Sequence, residues 1–174
     1  TINSVLKLAR HRPPVIKAVD PVKAILAIIK KWQHSNDHKP EIAICCECDL
    51  PNPPPTLHCD VGQLGQIILN LIRNAEEAMG HSGKIDLRVS RSGDDILIKL
   101  SDTGPGIEAH LLSHIFEHFF STKNSGAGLG LAVCKQLVQA HRGSISIKNN
   151  ENGGAVVLLL LPFEVFAPAI SNEV

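Results

Sequence analysis

Hydrophobic positions follow a helical spacing in three stretches of the chain and alternate with polar positions in the stretches between them. The first helical stretch follows Asp20-Pro21, an aspartate placed to cap a helix and a proline suited to its first position. Asp60 is placed in the same way before the second stretch. The spacing predicts helices over about 20–32, 60–79 and 129–141.

The segments between these helices predict strands. A strand is expected at 42–48, a short extended piece at 56–59, and two hairpins within 84–102 and 144–161, with turns at 92–95 and 152–154. Residues 103–127, around a short predicted helix at 109–119, are too many for a simple connector, which favours a mobile lid. This order of elements predicts a two-layer α/β (α+β) sandwich, whose mixed, largely antiparallel sheet is covered on one face by about three helices.

The chain is expected to hold one domain and to be cut from a longer protein. Residues 2–9 have the pattern of the last turns of a helix, which Arg12-Pro13-Pro14 ends because proline cannot continue the helical hydrogen bonds. The chain starts at Thr1 and its only methionine is Met79, so we expect further domains outside it. The predicted division is a helix end and linker at 1–14, one domain at 15–163 and a C-terminal tail at 164–174.

Composition excludes some classes of partner. The 174 residues, of which 44% are hydrophobic, suffice for one ordinary core. Seventeen basic and seventeen acidic residues balance, so no overall field favours nucleic acid or an acidic membrane surface. The longest apolar runs, 24–29 and 155–161, are far shorter than the roughly 20 residues that cross a bilayer. We expect a cytoplasmic location for this part, while membrane anchorage of the parent protein stays open.

Five cysteines leave two interpretations open. Cys45, Cys46 and Cys48 are close together, and a zinc site that they form with Cys59 is one alternative. Zinc ligands normally come as spaced pairs, however, and this spacing does not match. Reduced cytosolic thiols that pack as small apolar groups are therefore favoured.

Four polar residues follow one edge of the second predicted helix, beside its apolar arc: Gln63, Asn70, Asn74 and Glu77. Asparagine is unfavourable inside a helix because its amide competes for backbone hydrogen bonds. A solvated helix face is one explanation of the stripe. In the other, amide oxygens ligate a Mg²⁺ ion held mainly by nucleotide phosphates.

A second candidate site ends a predicted strand. Ile96, Ile98 and Leu100 share one face of the strand and Asp102 continues it, so the carboxylate is expected to point toward the core layer. A buried carboxylate needs a partner, and a purine amine is a hydrogen-bond donor that would satisfy it. The glycines of Thr103-Gly104-Pro105-Gly106-Ile107 would let the backbone approach the base. The alternative is an aspartate that begins an ordinary turn.

Two further segments suggest phosphate binding. Residues 115–123 hold three of the five phenylalanines and Lys123, which suits a terminal phosphate, although an amphipathic patch would have the same pattern. Gly126-Ala127-Gly128-Leu129-Gly130-Leu131 directly precedes a predicted helix. There, glycine lets backbone N–H groups close on phosphates and the helix dipole adds positive charge.

Taken in order, these four segments resemble the asparagine box, first glycine box, phenylalanine box and second glycine box of sensor histidine kinases, over residues 60–131. The variants Asn-Ala-Glu-Glu-Ala-Met and Phe-Phe-Ser-Thr-Lys look like the nitrogen-regulation type. The resemblance implies a Bergerat-type fold that binds Mg²⁺-ATP in two-component signal transduction. It identifies 15–163 as the catalytic, ATP-binding domain and 1–14 as the end of a dimerisation helix with its linker.

The same resemblance gives each motif a role. Asn74 would ligate Mg²⁺ with support from Asn70, which makes these two the expected catalytic residues, and Asp102 would bind adenine. Glycines of the first glycine box would shape the base pocket, and those of the second, with Lys123, would hold the phosphates. The complete expected set of ATP-binding residues is Asn70, Asn74, Glu77, Asp102, Gly104, Gly106, Ile107, Phe119, Lys123, Gly126, Gly128, Leu129, Gly130 and Leu131.

Two departures from related patterns limit the expected chemistry. Gyrase-like, mismatch-repair and chaperone ATPases of the wider superfamily carry a glutamate one turn before the metal asparagine to activate water. Here that position is Asn70, which cannot act as a general base, so transfer to a protein is favoured over hydrolysis. None of the nine histidines, His11 included, lies in a His-Glu-x-x-Asn-Pro box. The chain is therefore expected to bind ATP without phosphorylating itself.

The resemblance also implies partners. The acceptor histidine would lie on a dimerisation and phosphoacceptor helical domain of the same protein. A response regulator would be an indirect partner. The chain by itself is expected to be a monomer and the full-length protein a homodimer. The rival interpretations are a nucleotide-binding pseudokinase and an anti-sigma-type serine kinase of the same fold.

Overall fold

In the computed structural model, which describes residues 12–35, 41–80, 82–117 and 129–163, three α-helices pack against a five-stranded sheet and two short strands form a second sheet. A 3-10 turn, Ala109–Leu111, lies between the fifth strand and the third helix. The strands and helices of this part are β1 (Lys17–Val19), α1 (Pro21–Gln33), β2 (Ile42–Asp49), β3 (Leu57–Cys59), α2 (Val61–Met79), β4 (Gly83–Ser92), β5 (Asp95–Asp102), α3 (Gly130–Ala140), β6 (Ser144–Asn149) and β7 (Ala155–Pro162).

The main sheet has the strand order β2-β4-β5-β7-β6. β2 runs parallel to β4, and the other neighbouring strands are antiparallel, which confirms the predicted mixed, largely antiparallel sheet. The second sheet pairs β1 with β3, so that Lys17 lies opposite Cys59 and Val19 opposite Leu57. The sequence did not predict β1, because three residues are too few to show an alternating pattern.

One face of the main sheet is buried under the helices. In β4, Ile85, Leu87 and Val89 are buried while the residues between them are exposed. A fully buried leucine or isoleucine contributes about 1.5–3 kcal/mol, so the interface of α2 with the sheet contributes strongly to folding. The buried residues of α2 are Gln63, Leu64, Ile67, Ile68, Leu71, Ile72, Ala75 and Glu76.

The segment after β5 differs from its prediction. Instead of a helix over 109–119, the described part contains the 3-10 turn at Ala109–Leu111 and further tight turns up to Glu117. Their hydrogen bonds join residues three apart, as from the Leu111 N–H to the Glu108 carbonyl, and no side chain caps the segment. Without a cap, and with one buried side chain, Ile115, a regular helix lacks the packing that stabilises short helices.

Parts of the predicted organisation lie outside the described residues. These are the helix end at 2–9, residues 118–127 of the predicted lid, and the tail at 164–174. The division of the chain at residues 14 and 163 therefore stays a prediction. Among the helices of the described ranges, none combines the length and the apolar character that a membrane span requires.

The cysteines are free thiols, and nothing in the described part of the chain groups three or more His, Cys, Asp or Glu residues as a metal site would require. The zinc alternative therefore gains no support. Burial raises the pKa of Cys59 to about 11 and, together with the nearby Cys48 thiol, the pKa of Cys46 to about 12. Both groups therefore stay protonated at neutral pH.

Both predicted aspartate caps are confirmed. Oδ1 of Asp20 accepts hydrogen bonds from the first N–H groups of α1 at 2.9 and 3.1 Å, and Oδ1 of Asp60 does the same for α2. Burial alone would raise the pKa of Asp60. Hydrogen bonds from backbone N–H groups, the first of them from Val15, and the charge of Arg12 outweigh burial, so the pKa of Asp60 lies below its ordinary value.

We expect Asp60→Asn to lower the free energy of unfolding at neutral pH by about 1–3 kcal/mol, because an amide cannot accept the charge-assisted hydrogen bonds that the second oxygen receives. A carboxyl whose pKa is lowered by folding stabilises the protein above its unfolded pKa, about 3.9, and this contribution disappears as the pH falls through the folded pKa. Urea unfolding at pH 7 down to pH 3 should therefore show wild type and variant converging below about pH 4.

Asp94→Asn is the matched control, because the Asp94 side chain is fully exposed. Its free energy of unfolding should follow that of the wild type throughout. A difference between wild type and Asp60→Asn that stays constant down to pH 3 would contradict the prediction.

Candidate functional site

The start of α3 lies directly against the side of α2. A Cβ atom placed on Gly130 would lie 3.7 Å from Oδ1 and 3.8 Å from Nδ2 of Asn74. Gly130 is the first residue of α3, so the backbone at this helix end approaches the Asn74 amide with no side chain between them. The second glycine box and the asparagine box therefore meet in the structure, although 56 positions of sequence, 74 to 130, separate them.

Asn70, one turn before Asn74, contacts α3 at Cys134. The Cys134 sulfur lies 3.8 Å from the Ile67 carbonyl oxygen, and the Asn70 side chain lies close enough to influence the pKa of this thiol. Burial raises the pKa of Cys134 to about 12, and the influence of Asn70 only partly offsets it. Asn70 therefore faces a neutral thiol at the interface of α2 and α3.

Asp102 ends β5 on the buried face of the sheet, as its place in the strand predicts, and is only 7% exposed. Its Oδ1 accepts hydrogen bonds from the backbone N–H groups of Gly104 (2.9 Å) and Ala155 (3.2 Å). Among the described residues, hydrogen bonds reach only this one carboxylate oxygen. Oδ2 is therefore available to a ligand that donates a hydrogen bond.

Backbone packs closely around Asp102. Gly154 has a φ of +83°, and a Cβ there would overlap the Asp102 backbone carbonyl. A Cβ on Gly104 would lie 2.9 Å from Oδ1 of Asp102, closer than real Cβ contacts come. Gly154 was predicted only as a turn residue, and its second role is visible only when β7 is placed beside β5.

The first glycine box is fixed to the end of β6. Oδ1 of Asn149 accepts a hydrogen bond from the Ile107 N–H at 2.8 Å, and Nδ2 of Asn149 donates to the Ile107 carbonyl at 2.6 Å. Gly106, with a φ of +80°, lacks the Cβ that would lie 2.9 Å from Oδ1 of Asn149, so the loop can approach closely enough for this pairing. The sequence did not indicate Asn149, since an asparagine beside a hairpin turn has an ordinary local explanation.

The same loop touches the end of α2. A Cβ on Gly104 would lie 3.6 Å from the Cβ of Ala78, and the Thr103 hydroxyl lies 3.4 Å from the sulfur of Met79. Asn74 is one helical turn before Ala78, about 6 Å along the axis. The end of α2 thus places Asn74 and the Asp102 loop within the length of one small ligand.

Ile115 is buried, and the Phe116 ring lies 5.7 Å from the ammonium nitrogen of Lys135 on α3. This anchors the first part of the phenylalanine box. Of the predicted ATP-binding residues, Leu129 is buried and Leu131 packs partly against the core. Four others, Phe119, Lys123, Gly126 and Gly128, lie outside the described residues and stay predictions.

The polar stripe on α2 is shorter than predicted. Gln63 is buried, and its Nε2 donates to the Arg12 carbonyl at 3.0 Å, which places it under the segment before β1 and not among the residues around Asn74. Glu77 is exposed, whereas Glu76, which the sequence did not single out, is buried. The helical spacing alone does not reveal which neighbouring segment covers each end of α2.

The arrangement combines three kinds of group along one edge of α2. The carboxylate of Asp102 lies beside the loop that touches Ala78, and the neutral amide of Asn74 lies one helical turn before Ala78. The N-terminus of α3 supplies the positive end of a helix dipole. Such a site can bind a molecule with a donor at one end and negative charge at the other.

Comparisons with known proteins agree with this chemistry. Residues 59–165 match the family model of the histidine kinase-, DNA gyrase B- and HSP90-like ATPases. The chain is 40% identical to sensor histidine kinase ZraS of Escherichia coli K12 over 111 residues, which are 64% of this chain and 24% of ZraS. It thus spans about a quarter of the length of this curated relative.

Solved structures show the same fold. The catalytic domain of histidine kinase ThkA superposes with a TM-score of 0.74 at 30% identity and covers 84% of this chain and 95% of its own. Full-length ShkA, in complex with AMPPNP, gives a TM-score of 0.79 at 28% identity over 96% of this chain and 36% of its own. The chain therefore belongs to the histidine kinase-, DNA gyrase B- and HSP90-like ATPase family, as a nucleotide-binding domain with the fold of histidine kinase catalytic domains.

Proposed function

We propose that this domain binds Mg²⁺-ATP along the edge of α2 and donates the γ-phosphoryl group to a histidine on a helical domain outside this chain. The observation that carries the proposal is the contact of Gly130 with Asn74, one helical turn from the loop that holds Asp102. It supports one continuous site for base, metal and phosphates.

In this proposal Asp102 recognises the adenine amine. Oδ2 accepts the hydrogen bond, while Oδ1 remains fixed by the N–H groups of Gly104 and Ala155. A carboxylate held in this way keeps its orientation before the ligand arrives, which reduces the entropy lost on binding. Gly106 and Ile107, held by Asn149, form the adjoining wall.

Asn74 is the proposed Mg²⁺ ligand, with Asn70 as the residue that supports it. The hard, neutral amide oxygen of Asn74 suits a magnesium ion that is held mostly by water and phosphate oxygens. The described residues also lack a cluster of acidic side chains that would hold a divalent ion without a nucleotide. When bound, the ion would neutralise part of the charge on the phosphates.

The phosphates would lie at the N-terminus of α3. No side chain of the described residues caps this helix end, so its first N–H groups are suited to an anion. Gly126, Gly128 and Lys123 are proposed to complete this site, and Phe119 to anchor the segment that covers it. Leu129 and Leu131 would fix the helix end through their packing.

Transfer to a protein fits the position of Asn70 better than hydrolysis does. Its amide cannot take a proton from water, and it lies beside the Cys134 thiol. In the proposed reaction the acceptor imidazole nitrogen forms a bond to the γ-phosphorus as the bond to the β–γ bridging oxygen breaks and ADP leaves. Positioning and charge neutralisation then supply most of the catalysis.

The proposed partners follow from the same reaction. The acceptor histidine would belong to a dimerisation domain of the same protein, which would make the full-length protein a homodimer, and a response regulator would receive the phosphoryl group next. ThkA has been crystallised with the response regulator protein TrrA. The relatives reported above are histidine kinases, so the serine-kinase and pseudokinase alternatives are not favoured.

We expect Asp102→Asn to weaken ATP binding by about tenfold or more, because the amide presents a donor to the adenine amine and hydrogen bonds to charged groups contribute about 1.5–3 kcal/mol. Calorimetry with ATP and with inosine triphosphate, which carries an oxygen in place of the amine, measures this directly. Wild type should prefer ATP, and the variant should lose the preference. Asp86→Asn, on the exposed face of the sheet, is the control. Unchanged ATP preference in a folded Asp102→Asn variant would place the base elsewhere.

We expect Asn74→Ala to remove the part of ATP affinity that depends on Mg²⁺, since the alanine offers no ligand to the ion. Dissociation constants measured with Mg²⁺ and with EDTA should differ for wild type and become similar for the variant. Gln66→Ala, on the exposed side of the same helix, should retain the wild-type difference. A full Mg²⁺ effect in Asn74→Ala would exclude Asn74 as the ligand.

A further inference from the structure

Asp60 joins three segments of the chain that are distant in sequence. Its Oδ1 caps α2 through the N–H groups of Gly62 and Gln63. Its Oδ2 accepts hydrogen bonds from the guanidinium of Arg12 (3.0 Å) and from the N–H of Val15 (2.9 Å). Its own backbone N–H donates to Nε2 of His141 at 3.0 Å. We use the name junction for these contacts of Asp60 with Arg12, Val15 and His141.

His141 connects the junction to the end of α3. It follows the last residue of the helix, is 5% exposed, and its Nδ1 lies 2.7 Å from the Leu137 carbonyl. Because Nε2 accepts the Asp60 N–H, the ring proton must be on Nδ1, where it is donated to Leu137. The contact therefore holds the start of α2 against the end of α3 through a neutral imidazole of fixed tautomer.

The segment before β1 is attached at the same place. Besides the two hydrogen bonds to Asp60, the Arg12 carbonyl accepts a hydrogen bond from Nε2 of Gln63. β1 then pairs with β3, whose last residue is Cys59, next to Asp60. The segment 12–19 is thus fixed to the beginning of α2 by side-chain contacts and by a strand pairing.

The buried carboxylate of Asp60 depends on hydrogen-bond donors from the attached segment. Asp60 is only 4% exposed, and a buried carboxylate is costly without hydrogen-bond donors. Arg12 and Val15 supply both donors to Oδ2. Displacing the segment would leave that oxygen without them, so the position of residues 12–15 and the placement of Asp60 are energetically linked.

The two helices that meet at the junction also form the proposed nucleotide site at their other ends. α2 begins after Asp60 and carries Asn74 fourteen positions later, about 21 Å along the axis. α3 runs the opposite way, from Gly130 beside Asn74 to its end at His141 beside Asp60. A shift of α2 relative to α3 at the junction therefore changes the spacing of Asn74 and Gly130.

We propose that Asp60 is a positioning residue, which couples attachment of the segment 12–15 to the spacing of Asn74 and Gly130 and so to nucleotide binding. The identity of the ligand, Mg²⁺-ATP, rests on the proposed function. The coupling itself rests only on the hydrogen bonds described above. In a longer protein, movement of whatever precedes Arg12 would act on the site through this contact.

The test uses Arg12→Gln in the full chain. The Arg12 side chain is 62% exposed and remote from the site, so its loss leaves the α2 cap and the core in place. We expect Mg²⁺-ATP affinity to fall by about two- to thirtyfold, the range that coupling residues distant from a ligand show. The side-chain amide resonances of Asn74 in ¹H–¹⁵N spectra should also shift without nucleotide, which a purely local loss at the surface would not cause.

Three further variants separate coupling from a general effect of charge. Lys17→Gln removes one positive charge from the exposed side of β1 and should leave both affinity and the Asn74 resonances unchanged. Arg12→Gln should have no additional effect in an Asp60→Asn background, because both changes break the same contact. Arg12→Lys, which keeps the charge, should restore most of the affinity.

The outcomes distinguish the two proposals. Wild-type affinity and unmoved Asn74 resonances in Arg12→Gln would overturn the junction while leaving the assignment of Asp102 to adenine intact. Additive effects in the double variant would also overturn it. If wild type does not bind ATP, the proposed function fails, and the Asn74 resonances still decide the junction.

Discussion

Packing of α2 against the sheet is the constraint on which the rest of the structure depends. The apolar arc that includes Leu64, Ile68 and Leu71 is buried against the core-facing side chains of β4 and β5. Because a helix has only one such arc, its burial fixes the rotation of α2 about its axis. Asn70 and Asn74 are thereby turned to the edge where α3 packs. The site is a consequence of core packing before any ligand is considered.

The carboxylate of Asp102 depends on a second constraint, the close approach of β7. Ala155 at the start of β7 donates one of the two hydrogen bonds to Oδ1, and Gly154 permits the approach because it has no Cβ. Burial of a charged group is tolerated here because the backbone supplies fixed donors. The orientation of the remaining oxygen is thus determined by the start of β7 together with Gly104 of the loop after β5.

Several predictions succeeded because local physics decides them. Aspartate followed by a helical pattern correctly predicted the helix caps at Asp20 and Asp60. The alternation of Ile96, Ile98 and Leu100 correctly predicted that Asp102 lies on the buried face of the sheet. Other predictions failed where distant segments decide. The residues next to Gln63 in the sequence are typical of a polar position that faces solvent, yet the segment at Arg12 covers its side chain. The helix predicted at 109–119 had a suitable pattern but lacks a cap and an apolar surface to pack against.

The sequence by itself determined the three helices, the five strands of the main sheet, the helix caps, the buried face of β5 and the four motifs, because each depends on residues within a few positions of one another. Only the tertiary structure decided which motifs meet. It brought Gly130 to Asn74, tied Ile107 to Asn149 and joined Asp60 to Arg12 and His141. Such contacts depend on how helices and strands pack across the core, and the spacing of residues along a chain does not contain that information.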